Sequence, residues 1–362
     1  MNNRFGLTDD QLARADRVYR ESIVVDALTF MGTGLSDPEY LVELRDAGLT
    51  GVHVTFTDPT AGFRAACEQI GAWLTHIEAR SDVALLAEHA GDLERAKREH
   101  KVAIIAGMQN GKPIEDALGL VRVFHRLGIR IVIPAYHYAN YLGSGGGERG
   151  DYGMSRFGLN VVREMNRLGM LVDVSHCSPA TVWDAIRHSV APVAITHANP
   201  ERFGDHRRNK SDEMIKAVAE KGGVIGLTAW SEHLESALRR RPTIEDFLDM
   251  IDHVVKLAGE DHVGFGLDLT PQWAREGPTG YDAFGRIYPG MFQSTYEERN
   301  FEGLTDCHCI IDISRGLVAR GYSDEAIRKI NGGNWLRLFR RVWDNPSREA
   351  DYPEAVHIKG GA

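Results

Sequence analysis

The sequence predicts an α/β protein whose eight parallel strands alternate with helices and close into a (β/α)8 TIM barrel. Three observations lead there. Short apolar runs, eight of them, alternate with helix-periodic segments along the chain. Several of the runs are near-continuous Val/Ile stretches with no polar face, as in strands covered on both sides by helices. Polar, chemically useful residues stand at the ends of most of them, where barrel enzymes carry their sites.

The strands are expected at residues 23–28, 51–56, 102–107, 130–135, 170–175, 192–196, 223–228 and 262–267. Helices are expected at 62–79, 114–127, 156–168, 179–189, 211–221 and 243–258. Ser178-Pro179 reads as an N-cap followed by proline at the first helical position, where the missing N–H costs nothing. Thr243 precedes Glu245 and Asp246, acids that suit a helix N-terminus. An open doubly wound sheet is the alternative arrangement of the same elements.

The 362 residues are 43% apolar and 26% charged, an ordinary globular composition. They are expected to form one barrel domain over 1–362, with an N-terminal helix, a rim loop at 143–153 and an extended segment at 270–302. The net charge of −9 is interspersed, without the basic stripe and interleaved aromatics of a nucleic-acid binder. Charges run through the first 22 residues, so a signal peptide is not expected, and no run approaches the ~18 apolar residues of a membrane span. Four cysteines do not make a disulfide framework, and a cytoplasmic location is the simplest expectation.

The polar residues at strand ends are Asp26, Gln109, His137, His176, His197 and Asp268. A single histidine in such a place is commonly structural. Two at the ends of successive strands (VDVSH, VAITH), with a carboxylate after the eighth, point to metal-assisted hydrolysis. Neutral imidazoles bind zinc, a metal there acidifies a water, and Asp268 is placed to take the proton.

The blocks LVDVSHCSPAT, PVAITHANP, HRRNKSDEMIKAVAEKGGVIGL, LAGEDHVGFGLDLT and YSDEAIRKINGGNWLRLF resemble, in order and spacing, the membrane (renal-type) dipeptidase family, peptidase family M19 of the amidohydrolase superfamily. The resemblance runs from about Ser22 to about Trp343. It implies a zinc barrel in which His176 and His197 ligate metal, His137 and Arg208 bind substrate, and Asp268 is catalytic. Arginine suits the grip on a substrate carboxylate, because its planar fork matches that group. Dimers are common in the family, so a homo-oligomer is a further implication.

Two departures qualify this. The family's His-x-Asp pair after the first strand is replaced in VVDALTF by Leu28 and Phe30, neither of which can coordinate a metal. The family's bridging glutamate corresponds to Gln109, whose amide supplies an oxygen but no charge. The expectation is therefore one Zn2+, held by His176 and His197, with Gln109 and Asp26 as weak further candidates. Asp26 equally suits a backbone anchor. The substrate expected is a small carboxylate-bearing amide, a dipeptide or N-substituted amino acid. The competing reading is a barrel that kept its shape and lost catalysis, acting as a small-molecule binding or regulatory protein.

The remaining motifs carry less. The glycine-rich stretch 143–153 lacks a phosphate-loop pattern and reads as a mobile rim loop. Cys307-His308-Cys309 looks like a metal fragment within a helix, without a second ligand pair at finger spacing. His53, inside a strand, reads as a buried, hydrogen-bonded residue. Trp230, Trp273 and Phe292 are candidate pocket walls, and 270–302 is a candidate lid, pocket wall or subunit contact.

Overall fold

Parallel strands form the frame of the computed structural model, which describes residues 3–29, 39–270, 278–289 and 294–347. They are β1 (Val25–Thr29), β2 (Gly51–Thr55), β3 (Ala84–Leu86), β4 (Val102–Met108), β5 (Ile131–Val132), β6 (Leu171–Val172), β7 (Ile225–Leu227) and β8 (Val263–Phe265). The main sheet runs β1-β2-β4-β5-β6, and β7 pairs with β8. Single parallel bridges complete the ring: Asp173 to Ala194, Ile195 to Ile225, and Thr29 to Leu269. The last of these joins the end of β8 to β1, so the sheet closes and the doubly wound alternative is excluded. The fold is a (β/α)8 barrel.

All eight expected strands are present, although the sixth is reduced to the bridges at residues 194–195. Sequence reading missed β3, three residues that pair only with the first half of β4. The helix expected at 114–127 is broken. A 3-10 turn, Lys112–Ile114, is followed by Glu115 at φ 51°, and the helix proper is Gly119–Arg126. The caps follow the sequence signals. Ser178 accepts the Thr181 N–H at 3.3 Å, and Asp246 accepts the Thr243 N–H at 2.8 Å.

Alternation along the strands sorts the core into two regions. Val25, Ala27, Ala103, Ile105, Ile131, Leu171 and Ala194 gather around Trp335 of the helix Asn334–Val342, filling the barrel lumen. Val52, Val54, Ile104, Ala106 and Val172 pack instead against the surrounding helices. The small lumen residues leave room for the indole: a Cβ at Gly264 would come within 2.5 Å of Trp335 Nε1. With the lumen filled, chemistry is confined to the rim. No described helix is long and apolar enough to cross a membrane.

Candidate active site

The segments that follow β5, β6 and residues 194–195 bring three histidines together. His176 Nε2 and His197 Nε2 are 2.8 Å apart. The His137 ring lies 4.7 Å from that of His176, centroid to centroid. Tyr136 stacks on the His176 ring at 4.0 Å and an interplanar angle of 27°, walling the pair on one side. His137 sits at φ 53° and Asp268 at φ 57°, left-handed conformations that non-glycine residues adopt at a cost and that gather at functional sites.

A short relay orients one imidazole. Thr196 Oγ1 donates to Asp173 Oδ2 at 2.5 Å and lies 2.7 Å from His197 Nδ1. Because the hydroxyl proton is committed to the carboxylate, Nδ1 must be the protonated nitrogen of His197, and its Nε2 carries a free lone pair. Asp173 is itself fixed by the Ser175 N–H at 3.0 Å and the Thr196 N–H at 3.1 Å. His176 then supplies the proton shared between the two rings. Its Nδ1 is buried and has no hydrogen-bond partner among the described residues.

Electrostatics keep these rings neutral. Burial first, and the Arg208 guanidinium second, hold His137, His176 and His197 well below the usual imidazole range. Neutral imidazole is the metal-binding form. Zinc ligands at ~2.0–2.1 Å around a tetrahedral ion stand ~3.3 Å apart, so a half-ångström opening of the pair would admit one ion. Both Nε2 lone pairs become available once the His176 proton moves from Nε2 to its unpartnered Nδ1, with both rings remaining neutral. The donor set fits a metal ion.

Arg208 crosses behind the pair. Its Nε donates to the Ser175 carbonyl at 3.3 Å and its Nη2 to the His197 carbonyl at 3.1 Å. Nη1 makes no hydrogen bond among the described residues, leaving a donor for an anionic guest. Asp268 is partly buried, and its N–H donates to the Leu28 carbonyl at 2.9 Å. Burial pushes its carboxyl up to about 7, outweighing the opposing pull of Arg208.

The weaker candidates are placed as follows. Asp26 lies between lumen-facing Val25 and Ala27, on the opposite side of β1. There it accepts the Leu267 N–H at 2.8 Å, the Leu28 N–H at 3.3 Å and the Thr29 hydroxyl at 2.8 Å, tying β1 to the end of β8. Both carboxylate oxygens are thus engaged. Gln109 is buried and donates from Nε2 to Thr55 Oγ1 at 2.7 Å. Leu28 is fully buried, while Phe30, Trp273 and Phe292 lie outside the described residues. His53 is hydrogen-bonded to the Ala27 carbonyl at 2.7 Å and faces Gly107, where a Cβ would come within 1.9 Å of Nε2.

The glycine-rich stretch behaves differently from a free rim loop. The N–H groups of Gly146 and Gly147 bind the carbonyls of His176 and His137 at 2.8 and 2.7 Å. A Cβ at Gly145 would lie 2.4 Å from the His137 carbonyl carbon, so only glycine permits this approach. The stretch braces the main chain of two site histidines instead of arching over them.

Sequence reasoning missed several neighbours. Tyr288 lies 5.1 Å from the His137 ring and 5.3 Å from Tyr136, and it groups with Trp230, Tyr281 and Phe284 as an aromatic cap. Tyr281 and Phe284 come from the helix Pro278–Ile287 and pack against Trp230 and Tyr136. Lys210 Nζ donates to the Cys177 carbonyl at 3.1 Å, and burial lowers its ammonium to about 8. His206 and His233 stack at 4.7 Å beside Glu232, whose Oε1 is 4.0 Å from His206 Nε2. The sequence signals for these were Trp230 and the segment 270–302, both read as candidate pocket walls, while Asp173 shows only as a charge inside the apolar run LVDVS.

Beside the histidines opens a cavity of about 570 Å3 whose wall includes Tyr136, Tyr138, Tyr141, Ile287 and Tyr288. Its polar members are occupied: Asn140 Nδ2 donates to Asn110 Oδ1 at 2.7 Å, and Lys112 Nζ to the Thr60 carbonyl at 2.7 Å. Aromatic surface is what it offers a guest.

Comparison with known proteins identifies the family. A family model described as membrane dipeptidase (peptidase family M19) matches residues 38–282. The dipeptidase tcpJ of Claviceps purpurea is 30% identical over 286 residues, covering 78% of this chain and 61% of that protein. An uncharacterised dipeptidase of Schizosaccharomyces pombe is 30% identical over 250 residues, 68% of this chain and 59% of its own length. The chain thus spans about 60% of the length of these curated relatives. Among solved structures, an amidohydrolase from Pseudomonas aeruginosa superposes with a TM-score of 0.83 at 32% identity, covering 91% of this chain and 99% of that one. A metallopeptidase from Rhodobacter sphaeroides, liganded with a phosphinate mimic of L-Ala-D-Ala, has the same fold at a TM-score of 0.75, with 21% identity and coverage of 89% and 100%. With more than half of its length matched by the family model, this chain belongs to the membrane dipeptidase family, peptidase family M19.

Proposed function

We propose that the protein is a metal-dependent hydrolase that cleaves an amide bond in a small, carboxylate-bearing substrate, a dipeptide or N-substituted amino acid, using one metal. The observation that carries this is the buried, neutral pair of imidazoles 2.8 Å apart, one of them oriented by Thr196 and Asp173. His176 and His197 would hold the ion, zinc by preference for this donor type, with Gln109 a weak further candidate. When bound, it supplies polarisation of the scissile carbonyl and acidification of the attacking water.

The protein's own residues do the rest. Arg208 Nη1 takes the substrate carboxylate, with the guanidinium already fixed by two main-chain carbonyls. Asp268, with its carboxyl near 7, is poised to accept a proton from water and return it to the departing nitrogen. His137, held at φ 53° and braced by Gly147, presents its ring to the substrate. The aromatic cavity receives an apolar substituent, and the cap of Trp230, Tyr281 and Tyr288 limits water.

The test combines metal content and turnover. Purified protein should carry one ion per chain, lost in His176→Ala, and should hydrolyse members of a dipeptide panel in a metal-dependent way. Protein that binds no metal at micromolar zinc rejects this reading. Leu28 and the engaged Asp26 favour a second reading, a barrel that binds small carboxylates without cleaving them. Ligand binding without turnover, unaffected by Asp268→Asn, would establish that one instead.

A further inference from the structure

A second group of metal-ligating side chains lies away from the three histidines. The helix Glu39–Asp46, which comes after β1 in the chain, carries Glu43. Facing it is the 3-10 turn Cys307–Cys309, which leads into the helix Ile310–Ala319. Donor atoms of Glu43, Cys307 and His308 all lie within 4.8 Å of one another. This is a trio of one carboxylate, one thiol and one imidazole drawn from two separate elements, not a run of acids on a surface.

Two further features point to a cation. Cys307 is 2% exposed, yet the charges that press on its thiol belong to Asp306, Glu43 and Asp26, all carboxylates. Burial and these carboxylates push the thiol up to about 12, so the pocket is anionic in character and a positive guest would reverse the local balance. The turn is also preset. Asp306 Oδ1 accepts the His308 N–H at 2.9 Å, fixing the main chain that presents Cys307 and His308 in succession.

We infer that Glu43, Cys307 and His308 form a separate site for a thiophilic divalent cation of the zinc class. Sulfur, nitrogen and oxygen together suit a borderline-soft ion, and Zn–S near ~2.3 Å with Zn–N and Zn–O near ~2.0–2.2 Å places ligand atoms ~3–4 Å apart, within the observed spread. The thiol gives its proton to solvent as the metal–sulfur bond forms. The fourth position is left to water, since the nearer role of Cys309 Sγ is its 3.7 Å contact with Asp306. A cation here would tie the helix bearing Glu43 to the C-terminal helical segment.

The test uses cobalt(II) added to the metal-free full chain, read by absorption. The His176/His197 pair contributes no sulfur, so a thiolate-to-cobalt charge-transfer band that depends on Cys307, and not on the other free cysteines, reports on this site. The expected result is such a band saturating at one equivalent in the His176→Ala/His197→Ala variant as well as in the parent. It should vanish in Cys307→Ser, persist in Cys309→Ser and need at least tenfold more cobalt in His308→Ala. His308 is exposed, so its variant reports even if Cys307→Ser folds poorly. Absence of the band, or a band indifferent to both Cys307 and His308, overturns the assignment. Neither result depends on hydrolytic activity.

Discussion

Replacing Asp268 by asparagine should make the metal-free protein more stable at alkaline pH while abolishing turnover. In the folded chain burial lifts this carboxyl from its ordinary 3.8 to about 7, against the pull of Arg208. Between those values the native state keeps a proton that the unfolded chain has lost, so stability falls as pH rises, and the loss is complete above about 7. At ~1.4 kcal/mol for each tenfold change in proton activity, the folded state carries a penalty of ~4 kcal/mol at pH 8, an upper figure because water entry and relaxation reduce it. Asparagine removes the charge but keeps a partly buried amide that needs partners, so a net gain of ~2 kcal/mol is the realistic expectation. Urea unfolding after chelation, at pH 5 and pH 8, measures it. The variant should gain on the parent at pH 8 and match it at pH 5. Equal pH slopes for the two proteins, or a variant less stable at pH 8, would refute the assignment of a raised, partly buried carboxyl to this position.

The remaining predictions address the other parts of the site. Thr196→Val breaks the link between Asp173 and His197 and should weaken zinc affinity ~10–100-fold in a chelator competition, with the barrel still folded by circular dichroism. Arg208→Lys cannot reach two carbonyls from one plane. It should cost ~1–3 kcal/mol in urea unfolding and raise KM for carboxylate-bearing substrates more than it lowers kcat. Tyr138→Ala with Tyr141→Ala strips the outer wall of the aromatic cavity and should cut kcat/KM ~10-fold or more for substrates with a large apolar group, while leaving an alanyl substrate unchanged.

The barrel was legible because its strands are buried on both faces, which writes uninterrupted Val/Ile runs into the chain, as in Val102–Met108. Helix starts at Ser178 and Thr243 were legible because a cap is a local bargain between residues three apart. What stayed hidden depended on contacts between distant segments. Asp173 meets Thr196 23 residues later, and Tyr288 meets His137 only because a helix folds back over the mouth. The break after Ile114 was invisible for another reason. Glu115 takes a left-handed conformation that nothing in its own side chain demands. Asp26 shows the limit of reading strand ends as sites, since facing was decided by the parity of Val25 and Ala27 and not by proximity to the rim.

The ring of strands is fastened unevenly. β2 and β4 share five consecutive register pairs, whereas residues 173–194, 195–225 and 29–269 are each joined by one bridge. Amide hydrogens should therefore exchange slowest along the β2–β4 arc and fastest across these thin seams. His176 and His197 stand just past two of those seams, one on either side of the 173–194 joint. An ion gripped by both rings would act as a rivet there, and chelation should loosen that half of the barrel while leaving the other half as it was.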